Sequence, residues 1–274
     1  MFIINCRRKC NKVFIDNFFI AGPCVLESDS LCMDIAFRAQ EICKENGFEY
    51  FFKTSFDKAN RTSIDSFRGP GLEKSLDTFS KLKKAGIKVC TDVHTPDQPS
   101  LLQDYVDIIQ IPAFLCRQTD LIVEAAKTNK IVNIKKAQFL SVDKIKYCID
   151  KCKSVGNEKV MLTERGTNFG PNELVVDFRN IMGLKQYGLP VIIDCTHSCQ
   201  QIMSGNITGG NREFAPLFAK AGIIFGTNGI FSEIHFEPDK ALSDKANTIS
   251  LQTFNGIVEW WNEYREKEKT SNIC

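Results

Sequence analysis

Short apolar runs alternate with longer amphipathic stretches along almost the whole chain. The runs are rich in Ile, Val and Phe and too short for helices, so they read as strands. They are Phe18–Gly22, Tyr50–Lys53, Ile87–Asp92, Val106–Ile111, Ile131–Lys135, Val160–Glu164, Pro190–Asp194 and Gly229–His235. Between and after them the spacing predicts helices over Ser30–Glu45, Gly71–Lys84, Asp97–Gln103, Thr119–Thr128, Ser141–Ser154, Leu174–Gln186, Phe214–Ala221 and Ile249–Lys267. Ser30 and Asp97 are candidate N-caps, and Gly86 a candidate C-cap. Eight strand-then-helix units in about 250 residues predict an α/β fold, a (β/α)8 TIM barrel. The near-continuous apolar character of the runs fits parallel strands covered on both faces. An open doubly wound sheet would carry a G-x-G-x-x-G turn after its first strand, and the chain has none. No linker or low-complexity segment interrupts the pattern, so residues 1–274 are expected to form one domain. Residues 1–17 alternate weakly and are expected to form a hairpin capping the barrel bottom.

Charge and cysteine content narrow the function. Lys and Arg total 35 against 33 Asp and Glu, a net charge of +2. That balance argues against a protein that coats nucleic acid. No apolar run approaches the roughly 20 residues that span a bilayer. The start, MFIINCRRKCNK, lacks the apolar core of a secretory signal. A cytoplasmic protein is therefore expected, with most of its 12 cysteines reduced and structural. The pairs Cys6/Cys10, Cys148/Cys152 and Cys195/Cys199 are each four apart, and none is a C-x-x-C.

The polar residues carry the functional signal, because the active sites of such barrels lie at the C-terminal ends of the strands. The strand ends here bring Cys24, Lys53 and Lys58, Asp92 and His94, Gln110, Lys135 and Lys136, Gln138, Glu164 and Arg165, Asp194 and His197, and Glu233 and His235. All three histidines of the chain are in that set. Lys53, Lys58, Lys135 and Arg165, with Arg61 and Arg68, are expected to form a cationic rim. Such a cluster calls for an anionic ligand: a small molecule with a phosphate and a carboxylate, or with two phosphates. Cys24, His197, Glu233 and a later acid such as Asp244 are candidate metal ligands, since the first, seventh and eighth strands of a closed barrel are neighbours. One sulfur, one nitrogen and two oxygens suit Zn2+, Fe2+, Mn2+ or Co2+.

Several stretches resemble the 3-deoxy-D-manno-octulosonate 8-phosphate (KDO 8-phosphate) synthases. They are AGPCVLES (21–28), FKTSFDKANRTSIDSFRGPGLE (52–73), CTDVHTPDQ (90–98), DIIQIPAFLCRQTDL (107–121), VNIKKAQF (132–139), GNEKVMLTERGTNFGPNELVVD (156–177), PVIIDCTHSCQ (190–200) and SEIHFEPDKALSD (232–244). They follow the family's order from about residue 18 to 255. Lys58-Ala59-Asn60-Arg61 has the KANR form of that family rather than the K-P-R-T-S of the related DAHP synthases, which act on erythrose 4-phosphate.

The resemblance implies condensation of phosphoenolpyruvate with D-arabinose 5-phosphate and water, giving KDO 8-phosphate, a lipopolysaccharide precursor, and inorganic phosphate. It implies that Lys53, Lys58, Gln110, the Ala113 backbone, Lys135 and Arg165 hold phosphoenolpyruvate. Asn60, Arg61 and Thr62 would hold the pentose phosphate, and Gln200 would contact the sugar or phosphate region. Lys58, Lys135, Arg165 and His197 are the expected catalytic residues. Cys24, where metal-independent members carry Asn, implies the metal-dependent class, with Cys24, His197, Glu233 and Asp244 as ligands. A homotetramer is implied. Thr62 in place of Ser, and Pro171 in place of an aromatic residue, depart from the family pattern. Asp92, His94, Asp194 and His235 receive no firm role, though Asp92 and Asp194 are candidates for orienting their neighbours. The alternatives are a DAHP synthase and, in another class, a catalytically silent barrel that binds metal or a phosphosugar.

Overall fold

A computed structural model describes residues 16–61, 63–169, 173–201 and 209–271. The expected hairpin at the N-terminus lies almost wholly outside the described residues, as do Thr62 and Pro171. Eight parallel strands close into a barrel. They are β1 (Phe18–Gly22), β2 (Glu49–Lys53), β3 (Lys88–Asp92), β4 (Ile108–Ile111), β5 (Ile131–Lys135), β6 (Val160–Glu164), β7 (Val191–Asp194) and β8 (Gly229–His235). Each strand pairs with the next, and β1 closes the ring on β8 from Phe18↔Gly229 to Gly22↔Glu233. Eight helices follow the strands: α1 (Asp29–Glu45), α2 (Leu72–Lys84), α3 (Gln98–Leu102), α4 (Thr119–Lys127), α5 (Ile145–Lys153), α6 (Arg179–Lys185), α7 (Ala215–Ile224) and α8 (Leu251–Ser271). This is the (β/α)8 barrel that the alternation predicts.

Period-2 alternation within each strand divides the core in two. Outward-facing residues such as Phe19, Phe52, Val89, Ile109, Val132, Leu162 and Ile193 join the helices in one large buried cluster. Phe19 meets Phe48, Phe254 and Trp261 edge-on at 5.2–5.3 Å, which locks α8 against β1. A second cluster fills the barrel lumen: Phe18, Ile20, Phe51, Cys90, Ile108, Met161, Ile192 and Phe231. These are inward-facing residues below the strand tops. The lumen is a packed plug, not a pore.

Some local details differ from the pattern reading. The predicted helix over Leu174–Gln186 begins only at Arg179. Its first residues instead form a strand, Glu173–Val175, paired antiparallel with Thr167–Phe169. Leu174, Val175 and Val176 fit a strand as well as a helix start, and the hairpin partner decided between them. The α1 cap is Ser28 rather than Ser30, accepting from the Leu31 N–H at 3.3 Å. Asp97 sits at the α3 cap position without a side-chain cap bond. Gly86 ends α2 at φ +77°, a left-handed turn that suits glycine, and donates to the Lys83 carbonyl. The nine described cysteines are all buried and free. Cys148 and Cys152 share the buried face of α5, and the Cys199 thiol donates to the Cys195 carbonyl at 3.0 Å. No described helix is long and apolar enough to cross a membrane.

Candidate active site

Two residues above the luminal plug, on the same inward face, the chemistry changes. Phe51 is followed by Lys53, Cys90 by Asp92, Ile108 by Gln110, Ile192 by Asp194 and Phe231 by Glu233. Lys135 and Thr163 complete the layer, and all seven residues are buried. Glycine is needed where this layer closes at β1, because a Cβ on Gly22 would sit 2.1 Å from the Lys53 carbonyl oxygen.

Two lysines converge over one ring. The Lys135 ammonium lies 3.4 Å from the Phe231 ring centroid and the Lys53 ammonium 5.9 Å from it. Each is matched by a carboxylate. Lys53 lies 3.0 Å from Asp92 Oδ1 and donates to Ser55 Oγ at 2.7 Å, while Lys135 donates to Asp194 Oδ2 at 2.6 Å. Burial would raise the Asp92 carboxyl, but Lys53 and His94 hold it well below the usual range. Burial likewise opposes ionisation of Asp194, and His197 and Lys135 reverse that. For Lys135, burial prevails over Asp194 and lowers the ammonium.

Beside this layer the structure gathers a second group. Donor atoms of Cys24, Glu233 and Asp244 lie within 4.8 Å of one another. His197 Nε2 approaches from the side, 3.8 Å from Glu233 Oε1 and 3.6 Å from Asp244 Oδ2. These spacings are too long for hydrogen bonds. Both Glu233 oxygens are buried without a hydrogen-bond partner, and Lys58 is 3.8 Å from Oε1. An orphaned buried carboxylate is costly unless a cation offsets it. Asp244 is held at φ +50°, an uncommon conformation for a residue other than glycine, and its backbone carbonyl accepts from Asn247 and Thr248. Burial and Glu233 push the Cys24 thiol up to about 12. A divalent ion reverses that preference, because it binds the thiolate. Burial also opposes the charge on Lys58, but Cys24, Glu233 and Asp92 outweigh it and raise the ammonium. The residues therefore fit a divalent cation.

A third group lines the rim. Arg165 donates to Gln200 Oε1 at 2.7 Å, and Gln200 Nε2 donates to Asp244 Oδ2 at 3.1 Å. Arg61 donates to Ser243 Oγ at 2.6 Å. Ala113 opens the 3-10 turn after β4. Gln110 accepts from Asn133 Nδ2 at 3.3 Å.

Residues 15–270 match the model of the DAHP synthetase I family. The chain belongs to that family. Its relatives include the 2-dehydro-3-deoxyphosphooctonate aldolase of Desulfatibacillum aliphaticivorans, 48% identical over 241 residues, 87% of this chain and 88% of that protein. The enzyme of the same name from Koribacter versatilis is 46% identical over 246 residues, 88% of each chain. That of Legionella pneumophila is 46% identical over 245 residues, 88% of this chain and 89% of that protein. Within the DAHP synthetase I family the chain is thus an enzyme of the octulosonate branch, as the KANR and QIPAFLCRQTDL motifs implied.

The structure brings Cys24, Lys53, Lys58, Gln110, Lys135, Arg165, His197, Gln200, Glu233 and Asp244 to one end of this family's barrel, with Arg61 and Ala113 on its edge. Asn60 is exposed beside Arg61, and Thr62 lies outside the described residues. Arg68 does not join the rim. It is exposed and bound to Asp57 through two hydrogen bonds, which satisfy its charge locally. Lys136 faces away from Lys135. Its ammonium is buried 3.4 Å from Glu164 Oε2 and bonded to the carbonyls of Ala137 and Leu140. His94 lies 3.1 Å from Asp92, and His235 Nδ1 accepts from the Glu237 N–H at 2.9 Å. Three residues of the site went unassigned from sequence: Phe231, which floors the two lysines, Ser243, which holds Arg61, and Ser55, which joins Lys53 to Asp92. Alternation in GIFSEIH offered a signal for Phe231, two residues before Glu233. The two serines bear no such mark.

Proposed function

We propose that this enzyme joins phosphoenolpyruvate to D-arabinose 5-phosphate at the top of its barrel, with a divalent cation held by Cys24, His197, Glu233 and Asp244. The products are KDO 8-phosphate and inorganic phosphate. The observation that carries this reading is the adjacency of a lysine pair over Phe231 and an unpartnered buried carboxylate, Glu233. The names of the octulosonate relatives supply the sugar.

Phosphoenolpyruvate carries a carboxylate and a phosphate. Lys53, Lys58, Gln110, the Ala113 N–H, Lys135 and Arg165 offer the point charges and hydrogen bonds that two such anions need. Lys135 is especially suited, because burial makes its ammonium seek a further negative partner. Arg61, with Asn60 and Thr62, would bind the pentose phosphate, and Gln200 would contact the regions of both substrates. In the reaction C3 of phosphoenolpyruvate forms a bond to the aldehyde carbon of the sugar, whose oxygen gains a proton. Water adds its oxygen to C2 and loses a proton. The C2–O bond to phosphate then breaks, phosphate leaves with the bonding electrons, and the C2 hydroxyl becomes the ketone by forming C=O and giving its proton to the departing phosphate. Lys135 and Arg165 stabilise the charge that accumulates on the departing phosphate. Lys58, between the two groups of the site, holds a proton where aldehyde oxygen or phosphate can receive it. A bound divalent cation supplies Lewis-acid polarisation of the sugar oxygen. The ligand set suits Zn2+, Fe2+, Mn2+ or Co2+. A cytoplasmic homotetramer with only small-molecule substrates completes the proposal.

Phosphate release from phosphoenolpyruvate tests it, with arabinose 5-phosphate and erythrose 4-phosphate supplied in parallel. Consumption of the pentose phosphate alone supports the reading, and consumption of the four-carbon sugar alone overturns it. Full activity after exhaustive chelation would remove the cation from the proposal.

A further inference from the structure

Two buried carboxylates stand on opposite walls of the barrel top, and each bridges a lysine and a histidine. On β3, Asp92 meets Lys53 through Oδ1 at 3.0 Å and His94 Nε2 through Oδ2 at 3.1 Å. At the end of β7, Asp194 meets Lys135 and His197 through the same oxygen. Oδ2 accepts from Lys135 at 2.6 Å and lies 2.9 Å from His197 Nδ1. Lys135 comes from β5 and reaches past β6 to make this contact, since β6 separates β5 from β7 in the ring.

The two carboxylates differ in what lies beyond them. Among the described residues, His94 is hydrogen-bonded and ion-paired to Asp92 and Gln98, not to the cation-holding group. His197, in contrast, presents its other nitrogen to Glu233 and Asp244. Whereas Asp92 is held by side chains alone, Ser55 among them, Asp194 is also tied to the backbone. Its Oδ1 accepts from the backbone N–H groups of Thr196 at 3.0 Å and His197 at 2.9 Å, and the residue is fully buried. The backbone bonds fix the plane of the carboxylate, so Oδ2 cannot follow one partner without leaving the other. Lys135 is thereby held by a hydrogen bond, and His197 Nδ1 by a 2.9 Å approach to the same oxygen that is not aligned as a hydrogen bond.

We propose that Asp194 is a positioning residue that ties Lys135 to His197, so that the phosphoenolpyruvate side and the cation side of the site are set together. The inference rests on the roles proposed above for those two residues. A histidine that ligates a cation through one nitrogen is oriented by a partner on the other, and loss of that partner weakens cation binding by about 10- to 100-fold. In this protein the same partner also aims the lysine that meets the anionic substrate. Asp92 performs only the second of these tasks, for Lys53.

The test compares Asp194→Asn with Asp92→Asn in the full chain. Co2+ binding is read from the thiolate-to-cobalt absorbance of Cys24, and phosphoenolpyruvate binding from calorimetry. Asp194→Asn is expected to weaken Co2+ by about 10- to 100-fold and phosphoenolpyruvate by about fivefold. Asp92→Asn is expected to weaken phosphoenolpyruvate alone. Wild-type Co2+ affinity in Asp194→Asn overturns the proposal, as does an equal loss of Co2+ affinity in both variants. Should Asp194→Asn not fold, Lys135→Met carries the test against Lys53→Met. Only the former frees Asp194 for His197, so only the former should change Co2+ affinity beyond the charge effect common to both, and equal shifts overturn the tie. A wild type that binds both ligands but consumes no pentose phosphate defeats the proposed reaction and leaves the tie standing.

Discussion

The lumen of this barrel contains two layers that share strands and direction yet behave as different materials. The lower is Phe18, Ile20, Phe51, Cys90, Ile108, Met161, Ile192 and Phe231. The upper is Lys53, Asp92, Gln110, Lys135, Thr163, Asp194 and Glu233, all buried as well. About 6–7 Å along each strand separates them. The lower layer stabilises the fold, at roughly 1.5–3 kcal/mol for each large side chain removed from water. The upper layer opposes it, because each buried ion costs several kcal/mol before its partners offset the loss. Where a hydrogen-bonded partner is present, as for Lys135 with Asp194, it offsets part of that cost. Where partners are incomplete, as at Glu233, whose oxygens lack hydrogen-bond partners and meet Lys58 only at 3.8 Å, a bound cation would supply the missing offset. Catalytic capacity in this fold is thus an excess of upper-layer polarity, tolerated because the plug beneath is apolar and buried.

Four experiments probe that contrast. The largest effect is expected at Glu233. Glu233→Gln should lower turnover by about a thousandfold, close to 4 kcal/mol, without restoration by added Co2+. The cation-free variant should be at least as stable to urea as the wild type, because an unpartnered charge is gone. A loss of stability would show that Glu233 holds the fold instead. Ile192, two residues below Asp194, should behave oppositely. Ile192→Ala should cost about 2–5 kcal/mol in urea unfolding and leave the KM for phosphoenolpyruvate unchanged, and a raised KM would mean the layers are not separable.

The third effect is a pH dependence. The folded-state value of Asp92 lies below its unfolded value of about 3.9. Its contribution to stability is therefore complete above about pH 4 and is lost as pH falls further, with a limiting slope of about 1.4 kcal/mol per pH unit. Urea midpoints should be level from about pH 8 to 5 and fall below about pH 4, less steeply in Asp92→Asn. An identical slope in that variant would show that Asp92 is not held ionised by Lys53 and His94. The smallest effect belongs to a residue in neither layer. Ser28→Ala removes the α1 cap and should cost about 1 kcal/mol with kinetics unaltered, and any change in KM would extend the site to the start of α1.

Alternation of apolar and amphipathic segments predicted the barrel and nearly every element, because parallel strands covered on both faces and helices covered on one have different periods. It failed at Leu174 and Val175, which took the strand that a neighbouring hairpin offered. The site was legible where charge interrupts an apolar run at its end, as in VNIK for Lys135 and VIID for Asp194. It was less legible in loops. Arg68 and Lys136 carry the same charge as Arg61 and Lys135, and nothing in the residue order foretold that Asp57 and Glu164 would claim them.

By itself the sequence determined the number of units, their order and which residues stand at the strand tops, since each follows from local period and from the direction of a parallel strand. The motifs determined the branch of the family. Only the tertiary structure decided which charges neutralise one another and which remain open. That is a matter of distance across the lumen between residues far apart in the chain. Lys135 finds Asp194 at 2.6 Å, whereas both oxygens of Glu233 remain without a hydrogen-bond partner, and that difference is a property of the closed ring, not of any strand in it.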